Sequence, residues 1–211
     1  TQHTARFSRN AEHLAPLSVT HHPRTSPHPT PQPPQKYCPA PNKTMPSDLP
    51  LHKFCYKGNT QDAKEEIDNG VDVNVPGAQQ RTPLHKAVGG SHADIVDLLL
   101  KAGALPEVLD KGGKTPLHWA ALVDSVPCAK VLLEQGADIN AKTKSGATCC
   151  HLAAEDNKLE VLAYFMEMEA DSDALNNKGL TPFDVAKKKG HKEAMKVLRP
   201  NSGGGCSCIV S

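Results

Sequence analysis

A spacing of 33 residues dominates this sequence. Four threonines, Thr82, Thr115, Thr148 and Thr181, stand 33 positions apart, and each begins a related hexamer: TPLHKA, TPLHWA, TCCHLA and TPFDVA. One period earlier, Leu49 begins LPLHKF, which keeps the Pro, Leu and His of the pattern. A fixed period in this range indicates a chain built from stacked copies of one small unit.

The stretch from Arg81 to Leu100 shows what one unit contains. Thr82 can cap a helix through its hydroxyl, and Pro83 suits the first helical position, where a missing N–H costs nothing. From Leu84 onward apolar residues recur at helical spacing up to a glycine pair, Gly89-Gly90, after which a second apolar helix begins. Neither helix is long enough to be stable alone in water, so the units must stack on one another.

The period and the TPLH motif resemble the ankyrin repeat. The resemblance covers residues 49–199, and the turn after the second helix repeats as well, as in Gly70 to Asn74 and Gly136 to Asn140. It implies an all-α ankyrin-repeat solenoid of about five repeats, at 49–81, 82–114, 115–147, 148–180 and 181–199, within a domain spanning 45–200. It also implies an L-shaped stack whose concave face binds another protein.

One histidine stands in the same place in each of the first four units, namely His52, His85, His118 and His151. A catalytic role is the tempting alternative, but regular spacing favours a structural ladder in which each ring hydrogen-bonds a neighbouring loop. Asp184 replaces the histidine in the last unit, which is typical of an atypical terminal repeat with no following repeat to support.

The resemblance places partner-binding residues at turn tips and on exposed parts of the first helices. The predicted set is Arg81, Lys86, Lys111, Lys114, Trp119, Val123, Lys144, Asp156 and Lys178, with Ala78, Gln79, Ser145, Leu152 and Asn177 beside them. Trp119, the only tryptophan, is either an exposed hot spot or a residue packed between helices. The basic tips favour an acidic partner surface, with ordinary solvated lysines as the alternative account.

The last residues carry a second signal. Cys208-Ile209-Val210-Ser211 matches a prenylation box with a farnesyl-type ending, and Cys206 is a candidate for a palmitoyl chain. One short lipid binds a membrane only marginally, so a basic surface would have to assist it. Candidates for that surface are Lys187, Lys188, Lys189, Lys192 and Lys196. The rival interpretation is a metal or disulfide pair formed by the two cysteines.

The segment 1–44 is rich in proline and histidine and has almost no apolar run. Such a composition cannot bury enough apolar surface to fold, so we expect disorder there and in the glycine-rich tail 201–211. Thr1 stands where a start methionine would be, and we expect Met45 to be the natural start, which would leave the leader outside the natural protein. N-terminal sequencing checks this expectation.

The charge, the aromatic content and the absence of catalytic motifs argue against several functions. A net charge of +1 and few aromatics disfavour nucleic-acid binding. No phosphate loop, serine elbow or zinc-protease motif is present, so we expect no catalytic residues, no metal and no cofactor. We therefore expect a monomeric, non-enzymatic scaffold or adaptor at the cytoplasmic face of a membrane. The alternatives are a soluble cytosolic or nuclear regulator without lipid, and a regulatory fragment of a larger enzyme.

Overall fold

The computed structural model describes residues 48–199, which form ten α-helices in five consecutive hairpins. The helices are α1 Pro50–Lys57, α2 Thr60–Asp68, α3 Pro83–Gly89, α4 Ala93–Lys101, α5 Pro116–Val123, α6 Val126–Glu134, α7 Cys149–Glu155, α8 Leu159–Glu167, α9 Pro182–Lys189 and α10 Lys192–Val197. No β-strand occurs between residues 48 and 199. The all-helical solenoid predicted from the sequence is therefore confirmed.

The helices form two layers. The odd-numbered helices pack against one another in order along the first layer, and the even-numbered helices do the same along the second. Three predictions concern residues outside the described range: the disordered leader 1–44, the natural start at Met45, and the tail with Cys206 and Cys208.

The core repeats with the sequence. Leu51, Leu84 and Leu117 occupy the same position in successive first-layer helices, and each is completely buried. Burying one leucine side chain contributes roughly 1.5–3 kcal/mol. Cys150 takes the leucine position in α7 and is also buried, and burial raises the pKa of its thiol to about 12. The thiol therefore acts as a small apolar side chain at neutral pH, since the reactive thiolate is disfavoured.

Alanines set the distance between first-layer helices. Ala87, Ala120, Ala153 and Ala186 occur one period apart, and all four are completely buried. Because a methyl group is the smallest side chain that still excludes water, neighbouring helices approach closely at this position. The consequence is a continuous first layer whose outward-facing side chains share one surface.

A turn tip precedes each of the helices α3, α5, α7 and α9. Each tip closes with a backbone bond, for example from Asp110 N–H to Lys114 O at 2.9 Å and from Thr143 N–H to Ala147 O at 2.9 Å. Neighbouring tips are also joined, as where Asn177 N–H donates to Ser145 O at 3.0 Å.

Gly146 shows why a tip needs glycine. Its φ is +72°, and a Cβ added there would stand 2.8 Å from the backbone nitrogen of Asn177 in the next tip. Gly136 also has a positive φ, +82°, but a Cβ there would meet nothing within 4 Å. Substitution of Gly136 therefore tests only the cost of a positive φ, whereas substitution of Gly146 also tests the close contact with the next tip.

We predict that Gly136→Ala lowers the free energy of unfolding by about 1–2 kcal/mol, the cost of a left-handed non-glycine residue. Gly146→Ala should cost clearly more, because the next tip must also shift. Urea unfolding of both variants measures the difference. Equal losses would show that tip-to-tip contact contributes nothing to stability.

Candidate functional site

The repeated histidines link each repeat to the next. The Nδ1 atom of His118 accepts a bond from Thr115 N–H at 3.2 Å, and its Nε2 donates to Ala147 O at 3.3 Å. Since Nδ1 is an acceptor, the ring proton must lie on Nε2. His85 and His151 make the same pair of contacts, to Lys114 O and Leu180 O respectively. These three rings are committed to hydrogen bonds within the chain.

The first and last units depart from this pattern. Leu49 replaces the threonine before His52, and the Nδ1 atom of His52 has no hydrogen-bond partner within residues 48–199. In the last unit Asp184 Oδ2 accepts from Thr181 N–H at 3.1 Å, so the carboxylate caps the helix as the histidines do. Unlike the histidines, an ionised carboxylate has no proton to donate to the carbonyl of a further tip.

Burial keeps these rings neutral. Because burial disfavours the charged ring, the pKa of His85 and of His118 falls from 6.5 to about 4. The pKa values of His52 and His151 are lowered for the same reason. In His85 and His118 a protonated Nδ1 would also face the threonine N–H that it now accepts from, so protonation breaks the bond that caps the helix.

A groove of about 390 Å³ opens on the first layer between α1, α3 and α5. We call it the Gly89 groove; its lining residues include Asp48, Tyr56, Arg81, Lys86, Gly89 and Trp119. Tyr56 and Gly89 occupy equivalent positions in successive repeats, and Tyr56 is 59% exposed. A Cβ added to Gly89 would lie 3.8 Å from Trp119 Cε3. The missing side chain at Gly89 therefore leaves the space between the two aromatic rings open.

The side chain of Trp119 is held by a hydrogen bond, by packing against the core and by two neighbouring cations. Its Nε1–H donates to Asp110 Oδ2 at 3.1 Å, and the ring packs against the core. The guanidinium carbon of Arg81 lies 4.2 Å from the ring centroid, and Lys114 Nζ lies 5.6 Å from it. Trp119 is thus half-buried: it packs between helices and also lines the groove.

The two acidic residues at the groove are already bonded. Asp48 accepts from Lys86 Nζ at 2.7 Å and from Ala78 N–H at 3.0 Å. Partial burial raises the pKa of Asp48, but these hydrogen bonds outweigh it and the net effect is a lowered pKa. Asp110 is buried and accepts from the N–H groups of Gly112 and Lys114 at 2.8 and 2.9 Å.

A smaller depression of about 110 Å³ lies further along the same layer, between α7, α9 and their tips. Leu152, Lys178 and Ser145 of the predicted set line it, together with Glu155 and Val185.

The structure separates the predicted partner-binding residues into groups. Arg81, Lys86 and Trp119 meet in the Gly89 groove, with Lys114 over the Trp119 ring. The remaining predicted residues take other positions along the chain. Lys111 and Lys144 are exposed at neighbouring tips, where Lys144 Nζ donates to Lys111 O. The other tip residues are Ala78, Gln79 and Asn177. Val123 is the last residue of α5 and Asp156 follows α7, and neither lines a cavity.

Four residues of the site were not predicted. Asp48, Tyr56, Gly89 and Asp110 shape the groove, yet none was among the candidates. The sequence could have indicated two of them. Tyr56 and Gly89 are one period apart, so a large side chain in one repeat is replaced by no side chain at the same position of the next. The contacts of Asp48 and Asp110 join residues from different repeats, so they required the folded stack.

Between residues 48 and 199, none of the helices combines the length and the hydropathy that a bilayer span requires. No group of three or more potential metal-ligating side chains occurs in the same part of the chain.

Comparison with known proteins agrees with this architecture. Two family models match, one for ankyrin repeats in three copies over residues 51–143 and one for ankyrin repeats in many copies over residues 132–186. The chain is 50% identical over 38 residues to protein fem-1 homolog C of Xenopus laevis, a match that covers 18% of this chain and 6% of that protein. It is 32% identical over 63 residues to the ADP-ribosylation factor GTPase-activating protein AGD4 of Arabidopsis thaliana, covering 30% of this chain and 8% of that protein.

The stacked hairpins, linked tips and bridging histidines define a helical repeat protein. The chain belongs to the ankyrin-repeat family. Ankyrin-repeat proteins are generally non-enzymatic binding modules, and ankyrin repeats imply a role in protein–protein interaction. The matches span less than a tenth of either relative, so the activities in their names are not assigned to this chain.

We predict that the free energy of unfolding falls as the pH is lowered from 6.5 to 5. In the unfolded chain the rings take up protons below pH 6.5, whereas His85 and His118 stay neutral in the folded chain down to about pH 4. Acid therefore favours the unfolded chain, by up to about 3 kcal/mol for each of these two rings when the pH reaches 4.

Urea unfolding at several pH values measures this slope. His118→Gln keeps a capping amide at the same helix position but cannot titrate. It should lower stability at pH 7 and make the pH dependence shallower. An unchanged slope in this variant would mean that His118 does not contribute to acid sensitivity.

Proposed function

We propose that this protein is a non-enzymatic adaptor that binds a partner protein across its first layer and turn tips. A prenyl group on Cys208 holds it at the cytoplasmic face of a membrane. The single observation that supports the binding role best is the Gly89 groove, where two aromatic side chains and several cations meet on an exposed surface. Aromatic residues and arginine are the side chains that contribute most to protein interfaces.

The proposed anchor rests on the sequence alone. The order Cys208, Ile209, Val210, Ser211 offers a thiol for alkylation followed by aliphatic residues and a serine. Cys206, two positions earlier, would supply a second acyl chain. The proposal requires Ser211 to be the last residue of the chain.

Basic residues at the end of the stack support the same proposal. Lys187, Lys188 and Lys192 are exposed, and no ion pair involves them within the described residues. Lys189 and Lys196 are also exposed, but they pair with Glu155 and Glu193 at 3.0 and 2.8 Å. Each basic residue near an anionic leaflet contributes about 1 kcal/mol. Three unpaired lysines would therefore strengthen the marginal binding that one prenyl chain gives.

Replacing Cys208 by Ser should move the protein from the membrane fraction to the soluble fraction of a eukaryotic cell. Intact mass spectrometry of the unmutated protein should show loss of Ile209 to Ser211 and addition of a prenyl group. Cys206→Ser is the matched control and should lose only part of the membrane binding. A chain of unmodified mass with unchanged location in both variants would refute the anchor and favour a regulator without lipid.

A photo-crosslinking amino acid tests the binding surface in the same cells. Placed at Lys86, in the first layer, it should capture a discrete partner protein. Placed at Lys130, which is exposed on α6 in the second layer, it should not. Equal capture at both positions would mean that binding is not confined to the first layer.

A further inference from the structure

We propose that the Gly89 groove takes an acidic peptide segment of the partner, with one large apolar side chain seated between Tyr56 and Trp119. The inference rests on the proposed binding role of the first layer and names the chemistry of its ligand. It is carried by the shape of the groove, by the arrangement of charge around it, and by the sequence of the chain that leads into it.

The shape of the groove calls for an apolar anchor. Gly89 of α3, which has no side chain, lines the groove together with the exposed Tyr56 of α1 and the half-buried Trp119 of α5. A volume of about 390 Å³ falls in the range of pockets that enclose small ligands, so one large side chain and the adjoining backbone fit. Burying such a side chain against two aromatic rings removes apolar surface from water on both partners.

The charges around the groove call for carboxylates. Arg81 and Lys114 already lie over the Trp119 ring, so a cationic ligand would meet two like charges where it would otherwise stack. The carboxylates of Asp48 and Asp110 already accept hydrogen bonds from donors within the chain. Arg81 lies 3.9 Å from Asp110 through Nε, a long contact that leaves its terminal nitrogens directed to no carboxylate among the described residues.

Basic residues are unevenly spread over the domain: they occur at this groove and at the end of the stack, where Lys187, Lys188 and Lys192 are exposed. Acidic residues outnumber basic ones across residues 48–199, and the second-layer helix α2 alone carries Asp62, Glu65, Glu66 and Asp68. The basic rim of the groove, formed by Arg81 and Lys114, favours an acidic segment there, whereas the acidic helix α2 disfavours such a segment on the second layer.

The chain's own N-terminal segment is the nearest competitor. It enters the described structure at Asp48, which lines the groove. Its charged residues are mostly basic: Arg6, Arg9, Arg24, Lys36 and Lys43 against the single acid Glu12. Like charges oppose its docking against the basic rim, so charge complementarity selects a partner segment of opposite sign.

The test uses the full chain and a short fluorescein-labelled peptide in which a central leucine is flanked on both sides by glutamates. Binding is followed by the anisotropy of the label and by the emission of Trp119, the only tryptophan. The peptide should bind and change the Trp119 emission. Replacing its leucine by alanine, or its glutamates by lysines, should weaken binding by roughly tenfold or more.

Matched variants of the protein locate the site. Gly89→Leu fills the groove and should weaken binding at least about tenfold, whereas Gly89→Ala adds only a methyl group at ordinary contact distance from Trp119 and should retain it. Lys114→Gln should weaken binding up to about fivefold. Lys130→Gln, on α6, should leave binding unchanged. Urea unfolding of each variant separates a filled groove from a destabilised stack.

Three results would overturn the inference: no binding of the acidic peptide, equal binding to Gly89→Leu and Gly89→Ala, or equal binding of the glutamate and lysine peptides. A second copy or the N-terminal segment in the groove would also overturn it. Light scattering would reveal the first as a dimer, and a Trp119 emission that changes on removal of residues 1–44 would reveal the second. If partner capture at Lys86 persists while the acidic peptide fails, the adaptor role stands and only the ligand chemistry is wrong.

Discussion

The whole stack depends on a neutral histidine that bonds in two directions. In the middle repeats one ring nitrogen accepts from the backbone of the helix-capping threonine, and the other donates to a carbonyl of the next tip. That carbonyl also closes its own tip, as Ala147 O does with Thr143 N–H. Each ring thus fixes a helix start, a turn and the spacing between repeats together, and the rings have no remaining nitrogen for chemistry on a substrate.

Because the histidine nitrogens are used in hydrogen bonds within the stack, function must reside in other residues. Interior positions are filled by leucines, alanines and buried thiols that vary little from repeat to repeat. The outward positions of the first layer vary freely, since stacking does not depend on them. A lysine, a tryptophan and a leucine therefore occupy the same position in three successive helices, at Lys86, Trp119 and Leu152, and give each repeat a different surface.

The Gly89 groove results from such variation. Glycine opens a gap that tyrosine and tryptophan border, and the buried Asp110 fixes the tryptophan through its indole nitrogen. Asp110 also accepts two backbone bonds within its tip, so the same carboxylate shapes the turn and orients the aromatic ring. Stability of the repeat and geometry of the binding surface are linked at this residue.

The period, the helix starts at Thr82, Thr115 and Thr181, and the buried ladder positions could be read from the amino-acid sequence, because these features follow from local capping and helical spacing. The sequence also marked Arg81, Lys86, Lys114 and Trp119 as surface candidates. The folded stack was needed to show that Arg81, Lys86 and Trp119 line one groove, that Lys114 lies over the Trp119 ring, and that Val123 and Asp156 lie elsewhere. The reason is that Asp48, Tyr56, Gly89 and Asp110 act across repeats, through distances that a linear pattern does not contain.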